Sequence, residues 1–342
     1  MREFLNTLYV QTQGSYLRLE GETVVVEVDR AERAKLPLHH LGAIVMFGNI
    51  MVSPFLLARC ADDGRGVTWL STVGRFQARL EGPRSGNVLL RRAQHRAADR
   101  PDQALALARE SVAGKLQNAR LYLLRAARDA SESAADALRV AAGRLERHLH
   151  DAAIAADLDA LRGEEGAAAA EYFSCFPHIV RVADPTFAWT GRTRRPPLDP
   201  MNALLSFLYA LLTNDCVAAV EAAGLDPQIG FLHALRPGRP SLALDLMEEF
   251  RPLLADRVAF ALVNRRQVSE TDFVRRPGGA VEMTEAGRRT ILTAYQKRKQ
   301  DEVTHPLLAE QMPLGLAPLI QARVLARAVR GDLARYTAFV PR

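Results

Sequence analysis

The sequence predicts an α+β protein, in which a small N-terminal β-sheet domain is followed by a larger, all-α C-terminal domain. Its first eighty or so residues contain short apolar segments separated by turn residues, which is typical of strands. Later segments are long and rich in Ala, Leu and Arg, with apolar residues at helical spacing. The composition changes at residues 82–87 (GPRSGN), so we assign a β-rich domain to residues 1–84 and a helical domain to residues 85–342.

Turn residues divide the N-terminal region into its elements. Residues 14–15 (Gly-Ser) and 20–22 (Glu-Gly-Glu) are predicted to form hairpin turns between short strands. Ser53 is predicted to cap a short helix that stops at Gly64. The predicted strands lie in LNTLYVQTQ, SYLRLEG, ETVVVEVDR, GAIVMFGN, VTWLST and FQARLEG.

The C-terminal region is predicted to be helical. Residues 101–129 and 132–157 have helical periodicity, with Asp102 and Ser131 near the predicted helix starts. Residues 201–224 (MNALLSFLYALLTNDCVAAVEAAG) are apolar almost all round, which predicts a buried central helix. The segment RRPGGAVEMTEAGRRT predicts a turn or hairpin that leads into a further helix.

The charge of the chain favours an anionic partner. Its formal net charge is +6, and only four of its 45 basic residues are lysines. Arginine binds phosphate through two parallel donors, which suits nucleic acid. A GC-rich genome would also replace Lys by Arg and fill helices with Ala, and this explains the arginine content equally well.

No segment for secretion or membrane insertion is expected from the sequence. The three cysteines lack metal-ligand spacing, and their odd number argues against a disulfide framework. No signal peptide is expected, because the N-terminus has no long apolar run and no cleavage site. The apolar stretch near NALLSFLYALLTN is predicted to be too short, and too polar at its ends, to span a bilayer. We therefore expect a cytoplasmic protein.

Two adjacent acids behind a glycine mark the first candidate site. In LRGEEGAAAAEYF, Glu164 and Glu165 precede four alanines, which are good helix formers. The ordinary interpretation is a helix start, where acids interact favourably with the helix dipole. The alternative is that one carboxylate points inward and holds a metal ion.

Two later segments carry side chains that could complete a metal site. His233 lies in a loop predicted by nearby Gly and Pro residues, where a histidine is as often structural as catalytic. The segment SLALDLMEEFRP adds the acids Asp245, Glu248 and Glu249. Carboxylates together with one imidazole form a ligand set for Mg²⁺ or Mn²⁺, and such ions drive phosphodiester chemistry.

In the second of these segments, Ser241 is predicted to cap a helix that runs through Phe250 and is ended or kinked by Pro252. Glu248 lies opposite the main apolar face, where a residue ordinarily faces solvent. Leu244 lies on the same side as Glu248, however, so a buried polar cleft is also compatible with the pattern. The main apolar face consists of Leu242, Leu246, Phe250 and Leu253.

Arginines near the acids are candidate phosphate contacts. A phosphate-bearing polymer would explain basic groups beside a cation-binding acid cluster, although solvated surface charge explains isolated pairs equally well. The candidates are Arg192, Arg194, Arg195, Arg236, Arg239 and Arg251.

Four segments together resemble those of one family in order and spacing. They are RGEEGAAAAEYF, RTRRPPLDPMNALLSFLYALL, GFLHALRPGRPSLALDLMEEFRP and AEQMPLGLAPLIQARVLARAVRGDLARYTAF. With the β-rich start, they make nearly the whole chain similar to the CRISPR-associated integrases, the metal-dependent endonuclease subunits of the spacer-acquisition complex. The run of motifs resembles the type I-C subgroup.

This resemblance implies a function in antiviral defence. Members of the family form a homodimer through the N-terminal β-domain, and the helical domain is catalytic. Two dimers flank a dimer of a small ferredoxin-like subunit in a hetero-hexamer. The complex inserts short double-stranded DNA fragments, the spacers, into a CRISPR array by attack of a 3′-hydroxyl on a phosphodiester at the repeat boundary. Water in place of the hydroxyl would give plain DNA cleavage.

The resemblance also implies the site. The metal ligands correspond to Glu165, His233 and Glu248, with Asp245 matching an acid beside the Mg²⁺ or Mn²⁺ ion, and His233 could be a ligand, a proton carrier or both. Glu164 stands where the family often has a non-acid, which leaves a one-residue ambiguity. Two other function classes stay open. One is a DNA-binding assembly subunit of the same complex whose metal site has lapsed, and the other is a helical metal-dependent hydrolase of small phosphoesters.

Overall fold

The computed structural model describes residues 6–82 and 88–341. The chain divides into two compact units, residues 1–85 and 86–342. A strand-rich N-terminal region is followed by a mostly helical region, as the sequence predicts. The predicted boundary between residues 84 and 85 lies outside the described residues.

The N-terminal unit is built mainly from β-sheets. Its elements are β1 (Thr7–Val10), β2 (Tyr16–Glu20), β3 (Thr23–Val28), β4 (Ala31–Pro37), β5 (Ala43–Phe47), β6 (Met51–Val52), α1 (Pro54–Asp62), β7 (Gly66–Leu70) and β8 (Phe76–Arg79). One sheet has the order β1-β5-β7-β8, in which β1 and β7 are parallel to β5 and β8 is antiparallel to β7. The other has the order β4-β3-β2-β6, in which β3 is antiparallel to both β2 and β4.

The connections in this unit agree with the sequence at one turn and differ from it at another. Glu20 pairs with Thr23 across Gly21, whose φ of 58° suits a tight turn, so the predicted hairpin at residues 20–22 is confirmed. The predicted hairpin at residues 14–15 is wrong, because β1 pairs with β5 and the chain enters the other sheet at β2. The sequence analysis also missed β4, whose residues are mostly exposed and do not alternate.

Helix α1 covers part of the core of this unit. Ser53 caps it as predicted, since its hydroxyl accepts a hydrogen bond from the backbone N–H of Leu56 (3.2 Å). Leu56 packs with strand residues such as Leu17, Ile44 and Met46 in one apolar cluster.

The C-terminal unit is helical but not all-α. Its elements are α2 (Val88–Ala98), α3 (Pro101–Ala126), α4 (Glu132–Ile154), α5 (Leu158–Ser174), α6 (Phe176–Ile179), α7 (Pro200–Ala222), α8 (Ser241–Phe250), α9 (Arg257–Asn264), β9 (Phe273–Arg275), β10 (Val281–Met283), α10 (Glu285–Lys299), β11 (Glu302–Thr304), β12 (Gln311–Pro313) and α11 (Ala317–Arg330). β9 and β10 form the hairpin that RRPGGAVEMTEAGRRT allowed, and β11 and β12 form another that the sequence analysis missed.

Helix α7 is the buried central helix that its composition predicts. Asp199 caps it by accepting a hydrogen bond from the backbone N–H of Asn202 (2.8 Å). Among the described residues, it is the one helix long and apolar enough to cross a membrane by length and composition, so the expectation of a stretch too short to do so is wrong. Its most apolar window is 61% buried inside the protein, as in the core helix of a folded domain.

Helix α5 begins earlier than the sequence suggests. Asp157 caps it by accepting from the backbone N–H groups of Asp159 and Ala160. Glu164 and Glu165 therefore lie in the middle of the helix, and their expected position at its start is wrong. The glycines at positions 163 and 166 flank them, and a Cβ atom at either would meet nothing within 4 Å.

Helix α8 does not simply end at Pro252. It runs through Phe250 as predicted, but Ser241 is its first residue and Pro240 stands at the cap position, so the predicted Ser241 cap is wrong. A π-helical turn, Arg251–Asp256, then joins it to α9. Proline lacks the N–H that the α-helical ladder requires, so Pro252 favours this change of winding. Turns of this kind are frequent at functional sites.

Candidate metal centre

Helix α8 holds its acids in a buried environment. Asp245, Glu248 and Glu249 are 2%, 3% and 0% exposed, and Leu244 is the one residue of α8 that is not buried. The buried polar cleft is therefore the correct alternative, and the solvent-exposed face is not. A buried carboxylate is costly unless it is paired or hydrogen-bonded, so the partners of these acids decide what they do.

Lys115 of α3 joins two of the predicted ligands. Its Nζ lies 2.7 Å from Oε2 of Glu248 and also forms an ion pair with Oε1 of Glu165 on α5. Lys115 and Glu248 are buried, whereas Glu165 is half-buried. The fold thus brings carboxylates from two separate helices to the same ammonium group.

Arg251 completes the pairing of Glu248. Its Nη1 lies 2.9 Å and 3.2 Å from the two carboxylate oxygens. Burial alone would raise the pKa of Glu248, but the charges of Arg251, Lys115 and His233 outweigh it and hold the pKa well below its usual range. Glu248 is therefore an anion in the folded protein at neutral pH.

Asp245 holds the loop that carries His233. Its two oxygens accept hydrogen bonds from the backbone N–H groups of Phe231 (2.6 Å), Leu232 (3.0 Å) and His233 (2.9 Å). Oδ1 also lies 2.7 Å from Nδ1 of the His233 ring. Only glycine fits at position 230, because a Cβ there would lie 2.8 Å from Asp245 Oδ2 and 2.7 Å from backbone. Asp245 therefore positions His233, and its predicted catalytic role beside the metal stays a prediction.

Two further side chains anchor the same loop. The buried Gln94 of α2 donates to the carbonyl groups of Asp226 (2.8 Å) and Ile229 (2.7 Å) and accepts from the N–H of Asp226. Arg162 of α5 donates from Nε to the carbonyl of Leu232 (2.8 Å). These bonds tie the His233 loop to α2 and to the helix that carries Glu165.

The adjacent acid Glu164 has a different partner. Its Oε2 lies 2.8 Å from Nδ1 of His148 on α4. Glu165, by contrast, shares Lys115 with Glu248. Of the two acids in RGEEG, Glu165 is thus the one beside the other candidate ligands.

The donor set suits a hard divalent cation, but the side chains do not yet surround one. Within residues 6–82 and 88–341, no three His, Cys, Asp or Glu side chains stand together as a ready ion site. Glu165 and Glu248 do converge on one positive charge, and His233 adds an imidazole near Glu248. Oxygen ligands with one imidazole fit Mg²⁺ or Mn²⁺. The ammonium group of Lys115 lies between the two carboxylates.

A buried aromatic network continues from Arg251. Its guanidinium carbon lies 4.3 Å from the centroid of the Tyr209 ring. The hydroxyl groups of Tyr209 and Tyr172 donate to the carboxylate of Asp256 (2.5 Å and 2.9 Å), and burial raises the pKa of this acid. A cavity beside the network is lined by Lys115, Leu116, Ala119, Ala168, Ala169, Tyr172, Phe173, Arg251, Pro252 and Asp256.

The predicted phosphate-contacting arginines divide into two groups. Arg192 and Arg251 are half-buried and bond to other side chains of the protein, and their predicted contact with phosphate stays a prediction. Arg192 donates to Asn202 Oδ1 (2.7 Å) and Ser206 Oγ (3.1 Å), and burial lowers its pKa. The other four are exposed or half-buried: Arg194, Arg195, Arg236 and Arg239.

A family model matches most of the chain. Residues 8–297 match the family model described as CRISPR associated protein Cas1. The chain belongs to the Cas1 family. It is 53% identical to CRISPR-associated endonuclease Cas1 1 of Moorella thermoacetica over the whole of both chains. It is also 53% identical to CRISPR-associated endonuclease Cas1 2 of Rhodospirillum rubrum, over 98% of both chains.

Solved structures share the fold. A Cas1 protein from Thermotoga maritima superposes with a TM-score of 0.81 at 24% identity, covering 95% of this chain and 97% of that one. A casposase bound to its integration product gives a TM-score of 0.81 at 19% identity, covering 97% and 92%. Both therefore have the two-part Cas1 architecture described above.

Sequence reasoning missed several residues around the centre. Lys115, Tyr209 and Asp256 were not candidates, although each is a buried polar side chain next to a predicted ligand or its partner. One signal was available for Lys115. A rare lysine stands on a helix among small and apolar residues, with Val112, Leu116 and Ala119 at helical spacing.

Proposed function

We propose that this Cas1 protein is a divalent-metal-dependent DNA endonuclease and integrase that inserts spacer fragments into a CRISPR array. The observation that carries the proposal is the convergence of Glu165 and Glu248 on one cation position, with His233 held nearby. The names of its relatives, which are CRISPR-associated endonucleases, support the same reaction class.

In this proposal, Glu165, His233 and Glu248 hold Mg²⁺ or Mn²⁺. The bound ion would polarise the target phosphate and lower the pKa of the attacking 3′-hydroxyl or water. Asp245 accepts the Nδ1–H of His233, which leaves Nε2 as the ring nitrogen for the ion or for a proton. Arg251 stays against Glu248 and keeps that acid ionised.

The DNA substrate would contact the outward-facing arginines. Arg194, Arg195, Arg236 and Arg239 lie on loops beside the His233 segment or before α7, and none of the four is buried. Phosphate contacts of this kind release counterions, so we expect binding to weaken steeply with salt.

The proposed partners follow the family resemblance. We propose a homodimer formed through the N-terminal unit and a hetero-hexamer with a small ferredoxin-like subunit, acting on double-stranded DNA in the cytoplasm for antiviral defence. A solved structure with the same fold is titled as a Cas6-RT-Cas1–Cas2 complex, which supports the idea of a partner subunit (TM-score 0.80, 22% identity, 97% of this chain and 36% of that one). The type I-C subgroup stays a prediction.

The adjacent acids provide a matched test. We expect Glu165→Gln to reduce Mn²⁺-dependent nicking or strand transfer on branched DNA by at least about 10³-fold, because a ligand is lost. Glu164→Gln should stay within about threefold of the parent, since Glu164 pairs with His148. Both variants should still be retained with DNA on a gel.

Each alternative function has its own outcome in this assay. Full activity of Glu165→Gln would overturn the metal site. A parent protein that retains DNA but cuts none in Mg²⁺ or Mn²⁺ would favour the lapsed assembly subunit. Turnover of a nucleotide substrate without any response to DNA would favour the small-phosphoester hydrolase.

A further inference from the structure

We infer that Lys115 is a built-in counter-ion that must leave the acid pair before a divalent cation can bind. This inference rests on the proposed metal site. It makes metal binding an exchange of one ammonium group for one ion, rather than the filling of an open site.

The two cations that contact Glu248 compete with any incoming metal ion for its carboxylate. Oε2 lies 2.7 Å from Lys115 Nζ, and Oε1 lies 2.9 Å from Arg251 Nη1. Lys115 also pairs with Oε1 of Glu165, so its ammonium occupies the position between the two acids that a shared ion would take, and an ion bound by both acids has to displace it. The side chain of Glu248 is only 4% exposed, so little of it faces solvent.

Arg251 is the cation that stays. Its guanidinium lies over the ring of Tyr209 (4.3 Å to the centroid), and that ring is fixed by the hydrogen bond from its hydroxyl to Asp256. A second ring, that of Phe173, lies 6.0 Å away. A planar guanidinium that is stacked and bonded to both oxygens of an acid is held in place by several contacts at once.

Lys115 is the cation that can move. Its ammonium is a point charge on a flexible four-carbon side chain. It also lines a small cavity between α3, α5 and the π-helical turn, so it is not packed on every side. Glu165 is the more exposed acid of the pair (26% for the side chain), so an incoming ion meets it first.

The inference predicts that removing Lys115 strengthens metal binding. We expect Lys115→Met to bind Mn²⁺ about tenfold more tightly than the parent in calorimetric titration of the full chain with MnCl₂, because no ammonium has to be displaced. Without metal, its melting temperature should fall, since two acids lose a partner. The rise in melting temperature on adding Mn²⁺ should be larger than in the parent.

Two further variants complete the test. Lys115→Arg should bind Mn²⁺ about tenfold more weakly, because a guanidinium grips carboxylates in a bidentate manner and leaves less readily, and this variant keeps the charge if the methionine variant does not fold. Arg120→Met is the matched charge control on the same helix. Arg120 pairs with Glu146 (3.1 Å), so the Kd for Mn²⁺ should change less than about twofold.

The outcomes separate this inference from the proposed function. Equal or weaker Mn²⁺ binding by Lys115→Met, with binding by the parent, would overturn the exchange while leaving the metal site in place. Equal tightening by Lys115→Met and Arg120→Met would also overturn it, since net charge alone would explain the result. No binding by any of the proteins would overturn the metal site and the exchange with it.

Discussion

Glu248 and Glu249 are neighbours on α8, yet the protein surrounds them in opposite ways. Glu248 faces two cations, Lys115 and Arg251. Glu249 faces neutral donors: the hydroxyl of Tyr336, the amide of Gln321 (3.2 Å) and the backbone N–H of Phe339 (2.7 Å). Charges hold the pKa of Glu248 well below its usual range, whereas burial raises the pKa of Glu249 to about 7.

The comparison separates two uses of a buried acid. On the Glu248 side, two cations surround the acid and keep it ionised, which is the form of a carboxylate that binds a metal ion. On the Glu249 side, hydrogen bonds fix the chain around Phe339 against α8, and Asn118 joins the carbonyl groups of Glu249 (2.8 Å) and Phe339 (2.7 Å). The first side is suited to chemistry and the second to holding the helix in place.

The largest expected effect comes from replacing either Glu248 or Glu249 by glutamine in separate variants. Glu248→Gln should lower Mn²⁺-dependent DNA cleavage by at least about 10³-fold, because a ligand is lost. Glu249→Gln should keep cleavage at pH 6 within a few-fold of the parent, since a neutral amide resembles the protonated acid. Equal losses in both variants would break the distinction between the two sides.

A smaller effect is expected in stability against pH. The pKa of Glu249 is about 7 in the folded protein and near 4.5 for an ordinary glutamate, so the folded state binds more protons between these values. The stabilisation is complete below pH 4.5 and is lost as the pH rises through 7, by up to about 3 kcal/mol. Urea denaturation of metal-free protein at pH 5 to 8 should show this loss in the parent but not in Glu249→Gln. Parallel profiles for the two proteins would contradict it.

Removing a single donor should sharpen the same comparison. Tyr336→Phe loses the hydroxyl that bonds Glu249, which should cost about 1 kcal/mol of unfolding free energy at neutral pH. That hydrogen bond lowers the pKa of Glu249, so its loss should raise this pKa further. The pH-dependent loss of stability should then extend to higher pH than in the parent. Tyr336→Phe should leave the Kd for Mn²⁺ unchanged, and a changed Kd would mean that the two sides of α8 are coupled.

The smallest effect extends the contrast to the arginines. Arg194→Ala should weaken DNA binding a few-fold and reduce the salt slope of log K by about 1, because one phosphate contact is lost. Arg192→Ala should instead lower the melting temperature and leave the salt slope unchanged, since its donors bond Asn202 and Ser206. Filter binding across a salt series measures both slopes. A reduced salt slope in Arg192→Ala, with an unchanged slope in Arg194→Ala, would show that Arg192 contacts DNA and that Arg194 does not.

Local signals predicted much of the fold. The apolar segments of β2, β3 and β5, the Ser53 cap and the apolar α7 all carry their structure in a short window of sequence. The parallel pairing of β1 with β5 depends on residues far apart in the chain, which explains why residues 14–15 were mistaken for a hairpin turn. The start of α5 was misplaced because the alanine run after Glu165 is a stronger helix signal than the Asp157 cap before it.

The sequence predicted the acids of the candidate site, but it did not predict which side chains and backbone groups bind them. Glu165 and Glu248 followed from family motifs, and the structure puts both beside one ammonium group. Lys115 lies on α3, which is far from α5 and α8 in the sequence. No local pattern connects this lysine to either acid. The role of Asp245 also needed coordinates, because its four hydrogen bonds go to a loop that its own helix does not contain.

The glycines at positions 163 and 166 destabilise helix α5, and no close contact or backbone angle at either position requires a glycine. Neither position is crowded and neither has a backbone angle reserved for glycine, so alanine at each would strengthen α5 by up to about 1 kcal/mol. Alanine side chains would cover the backbone that the two glycines leave uncovered on the turn around Glu165. The helix is therefore less rigid and less bulky at this turn than in its alanine-rich remainder.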